Sequence, residues 1–232
     1  AKLFINTTKT GLSAFYRMRV IGNEITGPDA DGMGGAISGA GDQAGGGKMM
    51  GNFIHDFGNE TTTLANMHHT FYLSNRDNTI NEAYEISWSH LRDIGANHGL
   101  HIYDQAVCGD WNGTFKLHHN YIIGQAGCGI NISGGCSEGY GNFTYDLEIY
   151  QNIFINKDDF RFKGIPICLN SSYFEGNSTI FNNLLYGSSD EDELLISLYF
   201  NSPKSNLFFN NILLDLKGDR YAYYATSPTF WE

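Results

Sequence analysis

Short apolar blocks recur along the chain with one internal pattern: an apolar residue, two variable residues, Asn, one variable residue, and a second apolar residue. The block reads VIGNEI at 20–25, MMGNFI at 49–54, LHHNYI at 117–122, IYQNIF at 149–154, IFNNLL at 180–185 and FFNNIL at 208–213. ISWSHL at 86–91 fits with Ser89 in the Asn slot, so the slot residues are 23, 52, 89, 120, 152, 183 and 211, separated by 28 to 37 residues. A second block follows: GAISG at 35–39, FYLSN at 71–75, LHIYD at 100–104, INISG at 130–134, IPICLN at 165–170 and LYFN at 198–201. It alternates with period two, as a half-buried strand must.

A repeat of short strands without a helix cannot bury its apolar face alone, but stacked copies can. The pattern therefore predicts an all-β solenoid over residues 1–232: a right-handed parallel β-helix of about seven coils of roughly 30 residues, with three short strands per coil. Three apolar rows point inward: Val20, Met49, Ile86, Leu117, Ile149, Ile180 and Phe208; Ile25, Ile54, Leu91, Ile122, Phe154, Leu185 and Leu213; and Ile37, Leu73, Ile102, Ile132, Ile167 and Leu198. The slot Asn suits a sharp corner between strands, where the backbone turns left-handed and stacked amides can bond to one another.

Composition agrees. The 232 residues include 28 Gly and 23 Asn, the types that tolerate left-handed turns, beside only 4 Pro. With 25 acidic against 14 basic residues the formal charge is −11, which argues against nucleic acid and anionic membranes as partners. No apolar run reaches membrane-spanning length, so no membrane insertion is expected. Sequons at Asn6, Asn59, Asn112, Asn131, Asn142, Asn170 and Asn177 lean toward an extracellular or cell-surface location, although an Asn-rich chain generates some by chance. Asn6, Asn59, Asn112, Asn142 and Asn177 are the glycosylation candidates. The chain starts and stops abruptly, as a segment of a larger protein would, and uncapped coils are expected to associate end to end with another β-helix segment.

The Asn-cornered repeat and the GLHIYD and GINISG strands resemble the right-handed β-helix repeats of the pectin-lyase-like superfamily, over about residues 15 to 225. That resemblance implies the fold. It leaves open polysaccharide lyases, hydrolases, epimerases, phage tailspikes and purely structural surface proteins. It also implies that any site lies on the outer face of the first strand column, here the second block. NHG at 97–99 and DDFRFK at 158–163 are similar to polygalacturonase signatures but stand in the wrong order, which argues against that hydrolytic mechanism.

Read by register, the outer face of that column carries Ala36, Tyr72, His101, Asn131, Pro166 and Ser197, with Ser38, Ser74, Tyr103, Ser133, Cys168 and Tyr199 beside them. Tyr72, His98, Asn131 and Tyr199 are candidate sugar-binding residues, since aromatic faces beside hydrogen-bonding groups suit a pyranose. Outward Tyr, Ser and Asn are also ordinary on exposed strands. A uronate lyase needs a cation for the substrate carboxylate and a base for the C5 proton. Arg161 or Lys163 fits the first role and His101, His98 or Tyr103 the second, although Asp159 and Arg161 equally fit a surface ion pair. His68 and His69 lie in the loop entering the same column. Asp190 and Asp192, in the acidic run 190–193, are candidate calcium ligands or simply a solvated turn. Cys108 and Cys136 follow second-block strands in neighbouring coils and form the expected disulfide; Cys128 and Cys168 flank the same column without an expected pairing. Two functions follow: a glycan-binding or lyase-like module, or a structural rod, adhesin or filament subunit.

Overall fold

The computed structural model describes residues 3–7, 10–13, 17–30, 34–41, 45–59, 61, 67–75, 82–95, 97–103, 113–125, 127–133, 146–155, 165–170, 176–187, 196–199, 205–215 and 223–225. They form a parallel β-solenoid of three sheets with eight, eight and seven strands, and no helix, among the described residues. Each coil gives one strand to each sheet. Strands such as Thr114–His118 precede the slot and strands such as Tyr121–Gln125 follow it, while the second block supplies His98–Tyr103 and its neighbours.

The two rows flanking the slot stack as the sequence predicts. Val20, Met49, Ile86, Leu117, Ile149, Ile180 and Phe208 are register partners in turn, as are Ile25, Ile54, Leu91, Ile122, Phe154, Leu185 and Leu213. Their middle members are buried almost completely, whereas Phe208 is 36% exposed. Among the residues whose burial is described, complete buried triads run from Val20, Ile25 and Ile37 to Ile149, Phe154 and Ile167.

The third row needs correction. Ile37 pairs with Phe71, Leu100, Ile130 and Ile167 in succession, while Leu73, Ile102, Ile132 and Leu169 form a second inward row, with Leu198 next in register. The outward row is accordingly Ser38, Tyr72, His101, Asn131 and Cys168, with Ser197 next in register and without Ala36 or Pro166. The slip is two residues, an even number, so past the start of the strand it preserves the face on which each side chain was placed.

The corner also differs from expectation. The left-handed residue is the one before the slot: Gly22, Gly51, Trp88, His119, Gln151, Asn182 and Asn210 all have φ between 53° and 69°. This frees the slot Asn to turn inward and serve the backbone. Asn152 Oδ1 accepts from both the N–H and the Nδ2 of Asn120, each at 3.0 Å, and Asn152 Nδ2 donates to the Leu117 carbonyl at 2.8 Å. Asn183 and Asn211 repeat the arrangement up the stack. The buried corner groups thus find partners in side chains rather than in water.

Candidate functional site

The sheet built from the second block begins with a break in strand alternation that successive coils share, so the register between coils stays even. Successive amides of Gly99 and Leu100 both point at the next coil, donating to the Cys128 and Gly129 carbonyls at 2.9 Å. Gly129 and Ile130 do the same to Ile165 and Pro166, at 3.0 and 2.9 Å. In a regular strand alternate amides face opposite neighbours, so two in a row reset the alternation. Glycine permits the close approach: a Cβ on Gly129 would stand 2.7 Å from the Pro166 carbonyl oxygen.

That reset is why His69 and His98 share a face with Tyr72 and His101. The rings of His69 and His98 lie parallel with centroids 5.2 Å apart, and His101 packs edge-on to both, at 4.2 and 5.1 Å. Tyr72 stands 5.4 Å from the His69 ring and 5.8 Å from that of His101. His101 Nδ1 and His69 Nε2 share a hydrogen bond of 2.9 Å. Although this face is outward, it is covered: Tyr72 and His101 are 9% exposed, Asn131 6% and His69 2%. Asn97, His98 and Cys128 are half-buried and form the side nearest solvent.

Burial sets the charge state. His101 is pushed down to about 4 by desolvation. His69 and His98 are held well below the ordinary imidazole range by burial and then by neighbouring imidazoles, His101 first among them. All three are neutral at pH 7, the form that accepts protons. The Cys128 N–H donates to His98 Nδ1 at 2.9 Å, so the ring proton sits on Nε2. Asn131 Nδ2 lies 2.9 Å and Asn97 Nδ2 3.2 Å from that nitrogen, and turning over either amide places its oxygen on the ring proton. His98 therefore keeps no lone pair for a metal. His69 Nδ1, by contrast, is buried without a hydrogen-bond partner among the described residues.

Cys128 belongs to this site twice, because its sulfur is bonded to Cys168 with the Cα atoms 6.0 Å apart. Cys168 occupies the outward row directly after Asn131. The pairing was not expected from sequence, since it depends on the corrected register. The expected Cys108–Cys136 bond lies outside the described residues, as do Arg161, Lys163, Asp190, Asp192, Asn112 and Asn142. Tyr103 and Tyr199 lie in described strands, opposite Ser133 and Asn170, without described side chains. Of the other sequon residues, Asn6 and Asn177 are exposed and Asn59 is half-buried, accepting from the Thr61 N–H at 3.0 Å. The structure thus brings together Tyr72, His98, His101 and Asn131 and adds His69. Equal spacing of His69 to Tyr72 and of His98 to His101 was the signal for that addition.

No group of three or more His, Cys, Asp or Glu residues suited to a metal occurs among the described residues. Asp56 and Asp93, neighbours in adjacent coils, are engaged by His55 at 2.7 Å and Arg92 at 3.1 Å. The fold defines the class, a parallel β-solenoid with an amide ladder at one corner and an imidazole cluster on one sheet. No family model, no curated protein and no solved structure matches the chain.

Proposed function

We propose that the chain is an extracellular β-helix module of a secreted or cell-surface protein, of the pectin-lyase-like kind, that faces glycan through its second-block sheet. It either binds polysaccharide there or acts on it in a lyase-like step. The observation that carries this reading is the gathering of His69, His98, His101, Tyr72 and Asn131 on one face. A sheet that only had to be stable would gain more from small or apolar residues than from neutral imidazoles stripped of water. Sugar hydroxyls complement such groups, and a neutral His is a base near the acidic C–H of a uronate. The Cys128–Cys168 bond supports an oxidising compartment.

A structural rod, adhesin or filament subunit is the second reading, favoured by the low exposure of Tyr72, His101 and Asn131. End-to-end association of coils would accompany it. The deciding experiment is titration of the folded protein with a polysaccharide panel, monitored by calorimetry and by ultraviolet absorbance of unsaturated uronate. Binding or product that disappears in His98→Ala and His101→Ala, with circular dichroism unchanged, supports the glycan reading. Absence of both across the panel overturns it and leaves the rod.

A further inference from the structure

The left-handed corner row carries a second feature, on the edge between the two sheets that do not contain the histidine cluster. Its members are residues that tolerate positive φ, Gly22, Gly51, Asn182 and Asn210, except in the middle, where Trp88 has φ 55°, His119 56° and Gln151 54°. A bulky side chain in this conformation costs about 1 kcal/mol or more, and the ring recovers little of it by burial, being 58% exposed. One face of the indole is covered by His119, at 4.0 Å between centroids and 19° between planes. The other face looks along the row toward Gly51 and then Gly22. A Cβ at either glycine would meet nothing within 4 Å. The result is a flat aromatic face at the head of a bare step two coils deep, on the order of 10 Å.

What fits the step can be narrowed by its chemistry. An added β-strand is excluded, because the Gly22 and Gly51 amides already donate to Met50 and Ser87 at 3.0 and 2.9 Å. A cation would need a carboxylate or a second open ring, and Glu85, three residues before Trp88, is engaged by Lys48 at 2.6 Å. The corner row itself holds no Asp, Glu, Lys or Arg. We propose that the Trp88 corner is a binding subsite for an uncharged pyranose, whose C–H face lies on the indole and whose ring fills the step over Gly51. The strain at Trp88 is then the cost of presenting the ring, offset when ligand stacks on it. This site shares no residue with the histidine cluster and stands or falls separately from the function proposed above.

The test uses neutral β-1,4-linked glucose, xylose and mannose hexasaccharides, with an oligogalacturonate of equal length as the charged control. Two variants suit the backbone because they place residues found elsewhere in the row: Trp88→Gly removes the ring, and Gly51→Asn fills the step while keeping it. At least one neutral oligosaccharide is expected to bind the unmodified protein, with affinity falling about tenfold or more in each variant and cooperative thermal melting retained. His101→Ala is expected to leave that affinity as it was. Binding unaffected by both corner variants, no binding of any neutral oligosaccharide, or preference for the oligogalacturonate would overturn the proposal. Loss of binding in His101→Ala with none in Trp88→Gly would assign glycan to the cluster and not to this corner.

Discussion

The asparagine ladder and the histidine cluster are two ways of burying polar groups in the same stack, and they differ in how completely those groups are satisfied. Along the ladder, Asn120, Asn152 and Asn183 each donate to a backbone carbonyl as well as to the next amide, and each Oδ1 receives a backbone N–H. In the cluster burial holds three imidazoles in their neutral forms, and one nitrogen of His69 is buried without a hydrogen-bond partner among the described residues. A complete network specifies structure, whereas an incomplete one keeps capacity for something else. Substitutions in the ladder should therefore cost stability, while those in the cluster should reveal a pH dependence.

The largest effect expected is from Asn152→Ala. It strips the acceptor from two Asn120 donors and the donor from the Leu117 carbonyl, for a loss of about 5 kcal/mol in urea unfolding. A loss below about 1 kcal/mol would erase the distinction between the two regions. Next, Cys128→Ser with Cys168→Ser opens a link across 40 residues and should cost up to about 4 kcal/mol. Hydrogen exchange should then speed up around His98 more than at the ladder.

Acid comes third. Because His101 titrates near 4 when folded and about 6.5 when unfolded, the unfolded chain takes up a proton first as pH falls. Stability from this group is intact above about pH 6.5 and declines below it, losing about 3 kcal/mol by pH 4. His69 and His98 act in the same direction. His101→Asn should flatten the unfolding free energy over that interval, and an unchanged slope would refute the assignment. The smallest effect is Trp88→Gly, expected to shift melting by about 1 kcal/mol or less, since it relieves φ of 55° at a residue 58% exposed.

The solenoid was legible because its determinants are local and repeated: apolar residues at fixed offsets from the slot, as Leu117, Asn120 and Ile122 show. The left-handed residue was misplaced by one position because Asn is the obvious candidate, and only the geometry shows Asn120 turned inward while His119 carries the positive φ. At the site, Tyr72, His101 and Asn131 follow from period two. The two successive amides at Gly99 and Leu100 break that period, so the arrival of His69 and His98 on the same face was not legible from alternation. Nor was the Cys128–Cys168 pairing, which needed the register of IPICLN corrected by two residues. Coverage of the outer strip depends on long-range packing, about which its own pattern is silent.

Ser89 gives the ladder a seam. The amides run head to tail in one direction from Asn120 to Asn211, and again from Asn23 to Asn52, so their dipoles add along the solenoid axis. At Ser89 that alignment stops: Asn52 N–H reaches only the Ser89 hydroxyl, at 3.3 Å, and Ser89 reaches Asn120 only through its backbone N–H. A rod pulled lengthwise bears load through every rung in series, and it yields first where a rung is thinnest. Within the described ladder, the thinnest rungs therefore lie between the coils of Asn52 and Asn120, next to Trp88.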